Sequence, residues 1–272
     1  MANTIAVYNF KGGVGKTSTT LSLAHSWSRA YKVLIIDCDP QCNLSQSLMD
    51  SDYNQKEHNL YQLIGKFLHN SIPDINPIKV NPYLDLIQGD FKMSTLESNN
   101  QFISFGQTIT YSLISSLRNR YDLILLDFPT HFGVTVKSFI ANIDSILIPA
   151  IPDSFSNSGF KQLLSYLAEI EKEKPIDILG IFFNQYRKNT LYHRNIVQKA
   201  EKELGNLILN QKIRESVRVS EAHQLSSSIF DVTEENSDVA EDFLKLSEEV
   251  IGRLNTYDVN SALEEINLKE RV

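Results

Sequence analysis

A glycine-rich segment, KGGVGKT, occupies residues 11–17, between a short apolar run and a segment with helical spacing. Its glycines let the backbone turn tightly and point N–H groups inward, and the following helix adds the positive end of its dipole. Lys16 can supply positive charge to terminal phosphates, and Thr17 can offer a hydroxyl to Mg²⁺. The segment therefore predicts a loop that binds nucleotide phosphates, made by Gly12, Gly13, Val14, Gly15, Lys16, Thr17 and Ser18.

This loop departs from the usual phosphate-loop pattern. The pattern GxxxxGK[ST] requires a glycine five residues before Gly15, and Phe10 stands there, followed by an additional lysine, Lys11. A glycine-rich turn that binds no ligand is the alternative. The flanking strand and helix, together with nearby carboxylates, favour the phosphate site.

Three aspartates follow two of the apolar runs. Asp37 and Asp39 come after the run KVLII, and Asp127 ends the run YDLILL. Ligands of an open α/β sheet bind at the carboxyl ends of its strands, so these acids are expected to converge. Mg²⁺ prefers oxygen ligands and keeps waters, and we expect Asp127 to hold it through one. A role as loop caps is the alternative for Asp37 and Asp39.

Short apolar runs alternate with segments of helical spacing along most of the chain. Strands are expected at residues 4–9, 32–36, 83–88, 121–126, 144–148 and 176–183. Helices are expected at residues 18–29, 58–69, 108–118, 155–172, 191–204 and 238–254. Near-continuous apolar strands are typical of a parallel sheet buried on both faces. The pattern predicts an α/β fold, with a parallel, mostly doubly wound sheet and helices on both faces, in a single domain over residues 1–272.

The composition is that of a globular protein. Of 272 residues, 42% are hydrophobic and 22% are charged, which excludes a mostly disordered or fibrous chain. No apolar run approaches the roughly 20 residues of a membrane span. The first residues lack the basic and apolar regions of a secretory signal. The two cysteines, Cys38 and Cys42, lie in one loop and predict neither a disulfide framework nor a four-ligand metal site. We expect a soluble, cytoplasmic protein.

One segment is basic although the chain is acidic. Residues 187–218 carry eight basic and three acidic residues, while the formal net charge of the chain is -7. From residue 221 onward, thirteen acidic residues face four basic ones. A basic patch of this kind suits contact with a nucleic-acid backbone that is independent of base sequence. The candidate DNA contacts are Lys212 and Arg218 first, then Lys199, Lys202 and Arg214. A solvated helix face of ordinary charge is the alternative.

Four motifs together resemble the ParA/MinD superfamily. KGGVGKT resembles its deviant Walker A box, IIDCDPQCN at residues 35–43 its second motif, and YDLILLDFPT at residues 121–130 its Walker B strand. IRESVRVSEAHQLSSSIFD at residues 213–231 resembles the C-terminal pattern of ParA-type members. The chain is identified as a ParA-type P-loop ATPase on this resemblance. It departs from the family at Thr130, where a second proline often follows the Walker B acid.

The resemblance implies hydrolysis of ATP with Mg²⁺ and gives roles to the acids. It places Asp39 near the attacking water and Asp37 beside the Mg²⁺ ion, which Thr17 and Asp127 would hold. Since phosphoryl transfer depends mainly on positioning and charge stabilisation, Asp39 need not be a strong base.

The same resemblance implies an ATP-bound homodimer. Lys16 would contact the phosphates of its own site, and Lys11 would reach across to the nucleotide of the partner chain, so that catalysis requires two chains. Asn184 would hydrogen-bond the edge of adenine, since an amide both donates and accepts. The segment 213–217 would line the other side of the base.

ParA-type members position cargo while bound to nonspecific DNA, and a ParB-like protein or another cargo adaptor stimulates hydrolysis. The resemblance implies this activity here and a location on the nucleoid. The cargo remains open among a plasmid, a chromosome and a protein compartment such as a carboxysome.

Two other functions are weighed against this one. A MinD-like membrane-associated ATPase would carry a basic amphipathic tail, but residues 260–272 have more acidic than basic residues and a thin apolar face, so no membrane is expected as partner. A metabolic enzyme could use the same fold for ATP-dependent amidation or ligation. It would need a second substrate pocket, which the ambiguous residues 50–110 do not exclude.

Overall fold

The computed structural model describes residues 1–49, 59–152, 165, 176–224, 228–232 and 237–256. Within them, a seven-stranded sheet has the order β3-β4-β2-β5-β1-β6-β7. The strands are β1 (Asn3–Val7), β2 (Val33–Asp37), β3 (Ile78–Asn81), β4 (Leu84–Ile87), β5 (Leu123–Asp127), β6 (Ser145–Ala150) and β7 (Asp177–Phe183). Neighbouring strands are parallel, except that β3 pairs antiparallel with β4 at one edge.

Helices cover both faces of the sheet. They are α1 (Lys16–Trp27), α2 (Asn43–Leu48), α3 (Leu60–Leu68), α4 (Asn100–Leu117), α5 (Val134–Ile140), α6 (Leu191–Leu204), α7 (Val217–Gln224), α8 (Ile229–Val232) and α9 (Asp238–Thr256). Short 3₁₀ segments lie at Phe91–Ser98 and Gly205–Leu207. One core joins α1 and α9 to the sheet through Trp27 and Phe243, and the other joins α4 and α5 through Phe102 and Phe139.

The strands contribute to both cores because successive side chains of a strand point to opposite faces. In β2, Val33 and Ile35 belong to the α1 side, whereas Leu34 and Ile36 belong to the α4 side. The predicted parallel, doubly wound α/β fold is confirmed. Among the described residues, none of the helices combines the length and apolar character needed to cross a lipid bilayer.

Two differences from the predicted elements have physical reasons. Strand β3 was not predicted because prolines at 77 and 82 surround it, but an edge strand tolerates neighbouring prolines. Helix α4 begins at Asn100 rather than at residue 108. Gly106 obscured this first half, yet it is needed there, since a Cβ on it would lie 2.5 Å from Oγ of Ser138 in α5. The predicted helix at 155–172 and the tail at 260–272 lie outside the described residues.

The register brings the ends of three central strands to one level. Val7 of β1 and Asp37 of β2 are both paired with Asp127 of β5. The loop from β1 to α1, the loop after β2 and the loop after β5 therefore leave the sheet side by side, as predicted for a site at the carboxyl ends of parallel strands.

Candidate nucleotide-binding site

The glycine-rich loop leaves β1 and enters α1 in a conformation that needs its glycines. Gly13 and Gly15 have φ of +73° and +88°, in the left-handed region that glycine adopts without steric cost. Helix α1 begins directly after Gly15, with no side-chain cap and no acidic residue in its first turn. The N–H groups of a helix N-terminus without a cap are suited to binding an anion such as a phosphate.

The end of β7 holds this loop from the side. Nδ2 of Asn184 donates to the carbonyl oxygen of Val14 at 2.8 Å, and Nε2 of Gln185 donates to the carbonyl oxygen of Gly13 at 2.9 Å. A Cβ on Gly15 would lie 2.2 Å from Nδ2 of Asn184, which leaves space only for glycine. Asn184 thus fixes the loop, and its contact with adenine stays a prediction.

Lys16 lies inside the loop and is almost fully buried. Its ammonium group is 3.4 Å from the carbonyl oxygen of Lys11. Burial lowers the pKa of Lys16, and the carboxylates of Asp127 and Asp39 oppose this shift. A buried cation among backbone N–H groups is arranged to neutralise phosphate charge.

Thr17 and Asp127 meet beneath the loop. The Thr17 hydroxyl donates to Oδ2 of Asp127 at 2.7 Å, and the Thr20 hydroxyl lies 3.4 Å from Oδ1. Burial raises the pKa of Asp127 to about 8, and the neighbouring Asp37 adds to the shift. The hydrogen bond from Thr17 and the charge of Lys16 act in the opposite direction and lower the pKa. A hydroxyl and a carboxylate are oxygen donors of the kind that Mg²⁺ prefers, so this pair fits the ion.

Asp37 is also fully buried, but protein donors occupy its carboxylate. Oδ2 accepts from the backbone N–H and the hydroxyl of Ser45, at 2.9 and 2.6 Å, and Oδ1 accepts from the N–H of Asp39 at 3.1 Å. Burial raises its pKa to about 6, against these hydrogen bonds. The contacts favour a role in shaping the loop that carries Asp39 over the expected place beside the metal.

A cleft of about 600 Å³ lies over the loop, and its lining includes Asp39. Oδ1 of Asp39 accepts from the N–H of Gln41 at 2.8 Å, which fixes the direction of the half-buried carboxylate. Thr130, at the position of the family's second proline, also lines the cleft. Its Cγ2 lies 3.8 Å from where a Cβ on Gly12 would be. The lining residues are Gly12, Gly13, Gly15, Lys16, Thr17, Ser18, Asp39, Asn43, Thr130, Asn184, Gln185, Arg214, Glu215, Ser216 and Val219.

Lys11 differs from Lys16 in its surroundings. It is exposed, and within the described residues its ammonium group makes no ion pair. Its backbone N–H donates to Oδ1 of Asn9 at 3.0 Å, and Nδ2 of Asn9 donates to the carbonyl oxygen of Pro149 at 2.8 Å. The backbone at Lys11 is therefore fixed, while its side chain is exposed.

The structure argues against Arg214 as a DNA contact. Its Nε and Nη2 donate to the two oxygens of Asp242 at 2.7 and 3.0 Å, and Nη1 is paired with Asp238. Hydrogen bonds to Asp242 raise the pKa of the guanidinium. Arg214 instead joins the segment that lines the cleft to helix α9, a pairing that the sequence pattern does not reveal.

The other basic candidates for DNA contact differ in exposure and in ion pairing. Lys212 is mostly buried and donates to Glu201 at 2.9 Å and to the carbonyl oxygen of Asn210 at 3.0 Å, so it is a poor candidate. Lys199 makes a long surface pair with Glu203, at 3.7 Å. Lys202 and Arg218 are exposed, and no ion pair engages either of them within the described residues.

Several cleft residues were not predicted. Gln185 follows Asn184 in the left-handed conformation, with φ of +53°, and its contact with the loop crosses 172 residues of sequence. Asn43 begins α2, and Val219 lies in α7, beyond the segment 213–217 that was expected to line the base and that supplies Glu215 and Ser216. In the sequence, the only sign that Gln185 belongs to the site is its polar side chain next to Asn184, at the end of a predicted strand.

The comparisons with known proteins agree with this geometry. A family model described as an AAA domain matches residues 2–179. A ParA family protein of Chlamydia trachomatis is 31% identical, over 91% of this chain and 97% of its own length. The chromosome-partitioning ATPase Soj of Treponema pallidum is 27% identical, over 93% of this chain and 98% of its own length.

Solved structures show the same fold. A plasmid partition protein from Borrelia burgdorferi bound to AMPPNP has a TM-score of 0.75 and 20% identity, over 93% of this chain and 98% of that one. Cobyrinic acid a,c-diamide synthase from Mycobacterium smegmatis, with ADP and magnesium, has a TM-score of 0.76 and 18% identity, over 94% and 96%. At these identities the likeness concerns the fold alone. From the matched family model and the relatives that align along nearly all its length, the chain belongs to the ParA family of the ParA/MinD superfamily of partition ATPases.

Proposed function

We propose that the protein binds and hydrolyses ATP with Mg²⁺ and uses the ATP-bound state to position a cargo on DNA. The observation that carries the proposal is the contact of Thr17 with Asp127 beneath a loop whose lysine, Lys16, is buried. The name of the Soj relative, a chromosome-partitioning ATPase, supports the same activity.

The chain would act on ATP mainly by positioning and by charge. N–H groups from the start of α1 and the ammonium group of Lys16 bind the phosphates, while Asp39 orients the attacking water from the wall of the cleft. Mg²⁺, held by Thr17 and by Asp127 through a water, would neutralise charge that develops on the phosphate oxygens.

Hydrolysis is tested with two variants and a control. We expect Lys16→Ala to lose ATP binding, and Asp39→Ala to bind ATP without releasing phosphate. The matched control for Lys16 is Lys66→Ala, on the exposed side of α3. Phosphate release and binding of a fluorescent ATP analogue are measured together. Normal turnover by Asp39→Ala would contradict the role of that carboxylate.

We infer that two chains enclose the nucleotides, with Lys11 reaching the phosphates of the partner's site. Its exposure beside the cleft, on a backbone fixed by Asn9, supports this role. Sedimentation of Asp39→Ala with ATP is expected to give a dimer, and with ADP a monomer. Adding Lys11→Ala should return the ATP state to a monomer. A dimer that forms equally with ADP and with ATP would count against the inference.

The DNA-binding surface is proposed on α6 and the start of α7. His193, Val197 and Ala200 are the buried face of α6. Arg194, Lys199 and Lys202 are exposed. Arg218, exposed on α7, is one residue from the cleft-lining Val219. Exposed cations can contact phosphates of any DNA sequence, and Arg218, next to a residue of the cleft, can make this contact depend on the bound nucleotide.

We propose that the protein works as a single domain over residues 1–272, in the cytoplasm on the nucleoid, and that a ParB-like or other adaptor on the cargo stimulates hydrolysis. The names of the relatives, chromosome partitioning and plasmid partition, support a DNA cargo. Co-sedimentation with anionic liposomes tests the MinD-like alternative, and no binding is expected.

A further inference from the structure

Glu97 lies in the 3₁₀ segment before α4, yet it contacts the start of α5. Oε2 of Glu97 accepts from the backbone N–H of Val134 at 2.7 Å, and Oε1 accepts from that of Thr135 at 3.0 Å. Both oxygens thus cap the first turn of a helix that lies 37 residues further along the chain. A carboxylate at a helix N-terminus satisfies N–H groups that have no partner within the helix and is attracted by the helix dipole.

The carboxylate of Glu97 lies very close to the backbone at Gly133. Gly133 precedes α5, and a Cβ on it would lie 2.1 Å from Oε2 of Glu97. Its φ of -90° is open to any residue, so a larger residue there would displace the Glu97 carboxylate rather than strain the backbone. The contact sets where the loop after β5 must end.

This loop is held at both ends, and Thr130 and His131 in its middle are exposed. The ring of Tyr8 lies 5.8 Å from that of Phe132, and the Tyr8 hydroxyl lies 3.5 Å from the carbonyl oxygen of Thr130. Phe128, next to Asp127, is fully buried, and its ring lies 6.1 Å from those of Tyr8 and Phe139. The Glu97 cap holds the other end at Gly133. Between the two anchors, Thr130 lines the nucleotide cleft.

Other contacts hold α5 itself in place. The Thr110 hydroxyl donates to the carbonyl oxygen of Ser138 at 2.7 Å, and Nδ2 of Asn142 donates to that of Gln107 at 2.8 Å. The first joins α5 itself to α4 and the second joins the residues just after α5 to α4, and Phe139 is fully buried. Loss of the Glu97 cap is therefore expected to loosen the end of the loop at Gly133 while α5 stays folded.

We propose that Glu97 is a positioning residue for ATP hydrolysis, which sets the place of Thr130 over the phosphate loop. The proposal rests on the proposed ATPase activity. When the cap is intact, Thr130 lines the cleft with its Cγ2 near Gly12 of the phosphate loop. When the cap is lost, the loop between Phe128 and Gly133 takes other positions and turnover falls, because small misplacements beside the reacting groups reduce rates strongly.

The test is a double-mutant cycle on the full chain, with kcat for phosphate release and the Kd of a fluorescent ADP analogue as readouts. Glu97→Ala is expected to lower kcat about tenfold. Glu97→Gln, which keeps one acceptor oxygen, should lower it less. The Kd for ADP should stay near the wild-type value, and the thermal midpoint should fall by no more than about 4 °C, the usual cost of one lost helix cap. Glu248→Gln, at an exposed position on α9, is the matched control.

The cycle separates positioning from a merely structural role. Thr130→Ala is expected to lower kcat, and in that background Glu97→Ala should have little further effect, because both act through one loop. Additive losses, an unchanged kcat in either single variant, or a loss of ADP binding and thermal stability in proportion to kcat would overturn the proposal. A wild-type protein without ATPase activity would instead overturn the proposed function.

Discussion

The hydroxyl of Thr17 and the carboxylate of Asp127 form a 2.7 Å hydrogen bond between residues 110 positions apart. Thr17 stands in the first turn of α1, and Asp127 ends β5, the strand between β1 and β2. Because Asp127 is buried, its pKa is raised to about 8, and it needs a donor or a cation to carry charge at neutral pH. In the proposed site, Mg²⁺ would be held beside this contact.

Removal of the Thr17 hydroxyl tests this position. We expect Thr17→Ala to weaken ATP binding in Mg²⁺ by about tenfold or more, and to change binding in EDTA much less. Thr17→Ser keeps the hydroxyl and is the matched control. Titration of a fluorescent ATP analogue under both conditions measures the effect. Equal weakening with and without Mg²⁺ would assign Thr17 to the phosphates instead.

The space between Gly15 and Asn184 makes a second prediction. Gly15→Ala adds a Cβ 2.2 Å from Nδ2 of Asn184, at a φ of +88°, so it should displace Asn184 and abolish nucleotide binding. Gly205→Ala is the matched control, since Gly205 also has a positive φ, +53°, but nothing within 4 Å of the new Cβ. Because Gly205 has ψ of -125°, the variant should cost about 1–3 kcal/mol of stability and still leave binding intact. Retained binding in Gly15→Ala would mean that the contact with Asn184 is dispensable.

The phosphate loop and the fold could be predicted because their signals are local. The spacing of the glycines, Lys16 and Thr17 indicates a single turn between a strand and a helix. The apolar runs indicate buried strands. The contacts of Asn184 and Gln185 with that loop could not be predicted, since they join residues 170 and 172 positions apart. Their geometry depends on how β7 and β1 are placed in the sheet.

Charge patterning misjudged Arg214 for a similar reason. A count of basic residues over 187–218 gives the sign of a segment but not the partner of each side chain. Asp242, which pairs with Arg214, lies on α9, where the sequence shows only an excess of acids. Exposure after folding, rather than charge, distinguishes Arg218 from Arg214.

The difference between the paired Arg214 and the exposed Arg218 predicts that mutation of the first affects stability and mutation of the second affects DNA binding. Arg214→Ala leaves the nearly buried Asp242 without its guanidinium and should lower the free energy of unfolding by about 1–3 kcal/mol. Arg218→Ala should change it by less than about 0.5 kcal/mol and still weaken DNA binding. Urea denaturation and DNA binding, measured on both variants, check the pair. Full stability in Arg214→Ala would contradict the structural role of that ion pair.

A network far from the cleft predicts a pH effect on stability. Asp144 accepts from Nη1 and Nη2 of Arg118, both at 2.9 Å, and from the N–H and hydroxyl of Thr4, at 2.8 and 2.6 Å. Burial would raise the pKa of Asp144, but these donors outweigh it and lower the pKa below 3.8. A lowered pKa in the folded state contributes stability above the unfolded-state value, and this stability is lost as the pH falls through the folded-state value.

Asp144→Asn should therefore cost about 1–2 kcal/mol at pH 7, a modest value because the carboxylate is one-third exposed. The difference from wild type should shrink as the pH falls below about 4. Urea denaturation at a series of pH values measures it. A difference that stays constant down to pH 3 would show that the ionised carboxylate contributes nothing.

The most direct test of a nucleotide-dependent grip on DNA is the binding of a labelled random-sequence duplex with ATP, with ADP and without nucleotide, at two salt concentrations. Wild type, Lys11→Ala and Arg218→Ala are compared. Binding that requires ATP, weakens with salt and is lost in both variants is the predicted result. Binding that is equal in all three nucleotide states, or absent from all of them, would contradict it.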